Sequence, residues 1–189
     1  MSIYSLVLIF HVIAVFVLCA ALTIEALSLV HLRGASTRSE VSPWIAPAPT
    51  LHLFALAAVI VIAISGFYLV ASILPSGHAW SKVAVVSLLF MGPLGAVTGR
   101  RLRAIRKAYK AGKASNSELL DQLQDPFLKV SLCIRIAFFF GIFLLVSSKP
   151  RLWESVGLMG FFLVAGLASA LLPWRHSRPL SAPSAELGD

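Results

Sequence analysis

Apolar residues run along this chain in five long blocks, at about 3–30, 50–74, 82–99, 127–146 and 154–173, separated by short clusters of charged residues, Pro and Gly. A run of about 20 apolar residues is the length of helix that crosses a hydrocarbon core of about 30 Å. Lipid offers no water to an open strand edge, so the predicted class is all-α, a polytopic transmembrane helix bundle with five spans. The fifth block lies between Trp153 and Trp174. Those 21 residues cover about 31 Å of helix and put an aromatic ring at each membrane interface. No Lys or Arg precedes the first block, so it reads as a retained span rather than a cleaved signal peptide.

The connections carry turn chemistry. Ser42 to Thr50 holds Pro43, Pro47 and Pro49, which predicts a turn or short interfacial segment before the second span. Pro75-Ser-Gly77 predicts a tight turn, and Asp125-Pro126 the start of the fourth span. Ser115-x-x-Glu118 has the spacing of a capping box for a short helix in the basic segment 100–126. Residues 1–174 form one predicted transmembrane domain, and 175–189, with Pro179 and Pro183 among small polar residues, a disordered tail. Pro93 predicts a kink in the third span.

Charge then orients the bundle. One set of connections holds Arg33, Arg38, Arg100, Arg101, Arg103, Arg106, Lys107, Lys110, Lys113, Lys129, Arg175 and Arg178, while the other holds only Lys82, Lys149 and Arg151. By the positive-inside rule the N-terminus is outside and the C-terminus cytoplasmic. Composition agrees: 58% of residues are hydrophobic, 13% are charged and the mean hydropathy is +0.88. A soluble enzyme, a nucleic-acid module and a disordered chain are thereby excluded, since soluble domains carry about 25% charged residues. The net charge of +8 belongs to the loops, not to a nucleic-acid surface. Cys19 and Cys133 both lie in apolar blocks and read as packing residues, with no metal site at ligand spacing.

Ionisable residues at membrane depth are costly and therefore informative. Here they are His11, Glu25, His52 and Arg135. His11 and Glu25 lie about 40° apart around the first helix and share a face. Arg135, about 12 Å into the fourth span, lies at a depth similar to that of Glu25 and His52. A guanidinium cannot escape burial by losing its proton, so the expectation is an intramembrane polar cluster in which Glu25 pairs with Arg135 beside His52. Histidines on facing helices also raise haem or porphyrin as a cofactor, with His11 and His52 as candidate binding residues, paired by leaflet with His78 and His31.

Two further patterns concern partners. Arg100, Arg103, Lys107 and Lys110 share one helical face and Leu102, Ile105 and Tyr109 another, which predicts an amphipathic continuation along the inner surface that meets anionic lipid headgroups. Gly95-x-x-x-Gly99 in the third span, and Gly166-x-x-x-Ala170 in the fifth, predict close helix contacts, within the chain or with a second copy or partner subunit.

The early His11, the Trp80-x-Lys82 opening of the third span and the basic run Gly99-Arg-Arg-Leu-Arg103 carry a resemblance, with Ile134-Arg-Ile-Ala-Phe-Phe-Phe-Gly-Ile-Phe-Leu-Leu145 and Lys149-Pro150. In layout the chain resembles small, mostly uncharacterised bacterial integral membrane proteins of four to five spans, and more distantly HemJ-type protoporphyrinogen oxidases and CopD-like proteins. The resemblance implies the bacterial cytoplasmic (inner) membrane, with His11 and Lys82 as porphyrin-site residues. Three classes of function stay open: a haem, porphyrin or redox-linked protein, a structural or assembly subunit of a membrane complex, and a solute or proton pathway through the polar residues.

Overall fold

The computed structural model describes residues 2–34, 38–73, 79–111, 122–123 and 125–172. The turn at Pro75-Ser-Gly77, His78, Lys113, most of the segment from Ser115 to Gln124, Trp174 and the tail lie outside the described residues. The described residues hold helices and no strand. In chain order these are α1 (Ile3–Gly34), α2 (Arg38–Ile45), α3 (Ala48–Ile73), α4 (Ala79–Lys110), α5 (Pro126–Ser148) and α6 (Leu152–Leu171). All but α2 are long and apolar enough to cross a membrane, so the chain is a multi-pass membrane protein.

Each end is written locally. α5 opens where the Asp125 carboxylate accepts the Phe127 N–H at 2.9 Å, with Pro126 in the first turn, where its missing donor costs nothing. It closes on Lys149 in the left-handed region (φ 48°), whose N–H reaches the Leu145 carbonyl. Only Pro150 and Arg151 separate that cap from α6, so α5 and α6 are antiparallel neighbours. The Arg151 N–H is held by the Glu154 carboxylate at 3.0 Å in the first turn of α6. The proline-rich stretch from Ser42 to Thr50 is not only a turn: it contains the last turn of α2 and the first of α3. Val41 and Ile45 anchor α2 by burial, and Trp44 stacks on His31 of α1 with ring centroids 4.0 Å apart.

α1 packs on α3, α3 on α4, α4 on α5, and α5 closes the ring against α1. Ala14, Leu18, Ala21, Leu22, Glu25, Ser28, Leu29 and Leu32 are the buried residues of α1, one inward stripe at three- and four-residue spacing. α5 is the central helix, while α6 leans on its outer side and on α4 and buries only Ser155 and Met159. Side chains such as Phe16, Phe67 and Leu89 point outward, as lipid-facing residues must. Between α4 and α5, Thr98 Oγ1 and Ser131 Oγ meet at 2.7 Å in full burial.

The glycine stripes act within the chain. A Cβ on Gly166 would stand 2.8 Å from Ala137 Cβ and 3.0 Å from the Cys133 carbonyl oxygen, so α6 approaches α5 to a distance only glycine allows. Gly99 admits the imidazole of His52, whose Cγ would lie 3.1 Å from an added Cβ.

The basic run is the unbroken continuation of α4, which passes through Pro93 and spans about 48 Å. Leu102 and Ile105 are buried, whereas Arg100, Arg103, Lys107 and Lys110 are exposed. Arg101 pairs with Asp125 and lies 4.2 Å above the Phe127 ring, and Arg33 donates to the Asp125 carbonyl. Those contacts fasten the C-terminal halves of α1 and α4 to the start of α5.

A candidate intramembrane binding site

Among the described residues the most buried charged side chain is Arg135, at 2% exposure. It stands nine residues into α5, about 14 Å from that helix's start, and Glu25 stands as far from the end of the antiparallel α1. The two meet as a fork. Arg135 Nη1 donates to Glu25 Oε2 at 2.9 Å, and Nη2 donates to Oε1. A planar guanidinium matches both carboxylate oxygens at once, which lysine cannot do. Pairing lets both charges remain in a medium where either alone would be strongly disfavoured.

His52, one turn into α3, brings a third polar group. Its Nε2 lies 3.8 Å from Glu25 Oε1, too far for a hydrogen bond, and is buried without a partner. The Nε–H of Arg135 and the Ser28 hydroxyl are likewise buried and unpartnered. Buried polar atoms are nearly always hydrogen-bonded, to protein or to water, and Trp80 Nε1 and Arg106 Nε are buried without a protein partner as well.

Two cavities border the cluster. One of about 20 Å³, lined by Glu25, Ser28, His52 and Thr98 among leucines, is the size of a single water. The other measures about 210 Å³ and lies between α3 and α4, with Leu18 and Leu22 of α1 behind it. His52 and Arg135 stand in its wall, and Gly92, Gly95, Ala96 and Gly99 of α4 make its floor. Its rim includes Leu53 and Leu56, both well exposed, so the cavity opens sideways through the lipid-facing surface. Arg100 and Arg103 close the basic end of the rim.

Comparison with protein-family models, curated proteins and solved structures finds no match.

The other sequence-predicted residues lie elsewhere. His11 is about 21 Å from Glu25 along α1, although both share one helix face. Its Nδ1 pairs with Ser65 Oγ at 2.8 Å, and its ring lies against Gly66, which makes it a contact between α1 and α3. Lys82 is exposed near the start of α4, about 26 Å along the helix from Gly99. His31 is engaged by Trp44 and by the Leu27 carbonyl. Thus among the described residues His11 and His52 occupy different halves of the bundle, and neither His11 nor Lys82 joins the cluster. Gly95 and Gly99 also border the cluster, which their spacing alone does not say. Gly95 brings α4 close enough that an added Cβ would lie 3.7 Å from Arg135 Nη1. The available signal was depth: both glycines fall at the level of Arg135 and His52.

Proposed function

We propose that this protein is a membrane-embedded binding protein of the bacterial cytoplasmic membrane, with its basic end in the cytoplasm. Its ligand is an amphiphile that occupies the cavity between α3 and α4. The observation that carries this reading is the pair of unpartnered atoms, Arg135 Nε and His52 Nε2, on side chains that line a cavity open to lipid. The apolar wall favours a hydrocarbon body, and the Arg135 and His52 side chains in that wall favour a polar group that accepts or exchanges a hydrogen bond.

The size of the cavity narrows the class. It exceeds the roughly 150 Å³ engineered cavity that binds benzene, yet falls below the roughly 300–1,000 Å³ of pockets that enclose a drug-sized molecule. A ligand held in part, with the remainder in the bilayer, fits better than a whole tetrapyrrole. The porphyrin reading keeps one observation in its favour, the free imidazole nitrogen of His52, and it then uses a single histidine.

Organic extraction and a visible spectrum of the purified chain test the proposal. The expected result is a colourless protein that releases close to one amphiphile per chain. A Soret band abolished by His52→Ala would replace this reading with the porphyrin one. A stable, colourless protein that releases nothing would leave a structural or assembly subunit.

A further inference from the structure

The wall of the α3–α4 cavity changes character along its length. Leu53, Leu56, Val59 and Met91 line its apolar part, with Gly92 and Ala96 beneath them. At the basic end the lining turns to His52, Gly99, Arg100 and Arg103. Arg103 donates its Nε–H to the Gly99 carbonyl at 3.2 Å, which holds its stem against the helix, and the residue is exposed. Arg100 is also exposed at the same rim. An apolar trough that opens to the membrane and ends at two guanidinium groups has the polarity of one lipid molecule, chain first and headgroup last.

We propose that the ligand is an anionic phospholipid from the leaflet at the basic end of the bundle, bound as one molecule per chain. This rests on the reading of the cavity as a ligand site and adds the ligand's class. Its phosphate lies between Arg100 and Arg103, where guanidinium groups offer paired N–H donors to phosphate oxygens. One acyl chain enters between Leu53, Leu56 and Met91 and lies on the glycine floor. At Gly92 a longer side chain would fill the space that chain takes. Gly92 makes the point: an added Cβ would meet no protein atom within 4 Å, so the room beside it is not taken up by packing. Nearer the headgroup, the side chains of Arg135 and His52 stand in the cavity wall beside the ester region of the same molecule, whose carbonyl oxygens accept hydrogen bonds. This is a seated lipid, distinct from the diffuse attraction of Lys107 and Lys110 to a charged surface.

Native mass spectrometry of the full chain tests the assignment, with phosphatidylglycerol and phosphatidylcholine of identical acyl chains added in neutral detergent. The expected result is one retained phosphatidylglycerol per chain and markedly weaker retention of phosphatidylcholine. A cationic side chain near an anionic headgroup is worth about fivefold in binding, so Arg100→Gln with Arg103→Gln weakens retention about thirtyfold. Gly92→Leu, whose Cβ meets no protein atom within 4 Å, removes the bound lipid by filling its trough, with Gly92→Ala as the variant that keeps the fold if Leu does not. Equal retention of the two lipids, abolished by Gly92→Leu, overturns the anionic class and leaves the cavity reading standing. Retention untouched by Gly92→Leu overturns both. Displacement of the lipid by millimolar inorganic phosphate overturns the role of the acyl chain and assigns the arginines to free phosphate.

Discussion

Glu25→Gln destabilises the protein in detergent by about 3–5 kcal/mol, the range in which removal of one partner from a buried ion pair falls. The loss is larger than that of Arg135→Gln, because the two orphans differ. A lone carboxylate is relieved by taking up a proton. A lone guanidinium, at 2% exposure, stays charged at any working pH. The double variant Glu25→Gln, Arg135→Gln loses much less than the sum, since it leaves no buried charge without its partner and the attraction it removes largely offset the pair's own desolvation. Equilibrium unfolding of all four proteins measures the coupling. Additive losses would mean that Arg135 is satisfied elsewhere, and that the fork is not what holds α1 to α5.

Gly166→Leu separates α6 from α5. The obstacle is partly backbone: an added Cβ lies 3.0 Å from the Cys133 carbonyl oxygen as well as 2.8 Å from Ala137 Cβ, and neither is the tip of a flexible side chain. Overpacking of this kind costs about 1–3 kcal/mol, and here it falls on the helix with the least buried surface of its own. Gly160 on the same helix is the internal control, because its added Cβ meets no protein atom within 4 Å. Gly160→Leu leaves the melting temperature unchanged or slightly raised, given the better helix propensity of Leu. Equal melting temperatures for the two variants would show that the α5–α6 seam is looser than the contacts imply.

The five spans were legible because lipid imposes a length and a composition that nothing else in a sequence imitates. The level of the polar cluster was legible too. Helix rise alone puts Glu25 and Arg135 at one depth, and the permanent charge of Arg135 demands a partner there. Rotation was harder to read. α1 and α3 are apolar on nearly every side, so no periodic stripe says which face of α3 meets His11 through Ser65 and which presents His52 to Glu25. His11 and Glu25 share a face, yet a common face over 14 residues of helix joins two levels of the membrane, not one site. The glycines illustrate the same limit. Spacing marked Gly95, Gly99 and Gly166 as places of close approach, and only the packing shows that two of them face a guanidinium and an imidazole while the third faces backbone. The short α2 escaped because Pro43 sits inside it, and a proline so near a helix end ordinarily signals a turn.

The proposed ligand lies between α3 and α4, against the side chains of Arg135 and His52. A crystal structure of the chain grown from a lipidic phase, at a resolution that orders acyl chains, tests it directly. The predicted result is elongated density along Gly92, Gly95 and Ala96, with an acceptor atom within hydrogen-bond distance of Arg135 Nε or His52 Nε2 and a headgroup against Arg100 and Arg103. A structure in which Leu53 and Leu56 close over the floor, with those two nitrogens satisfied by the protein's own groups, would contradict it.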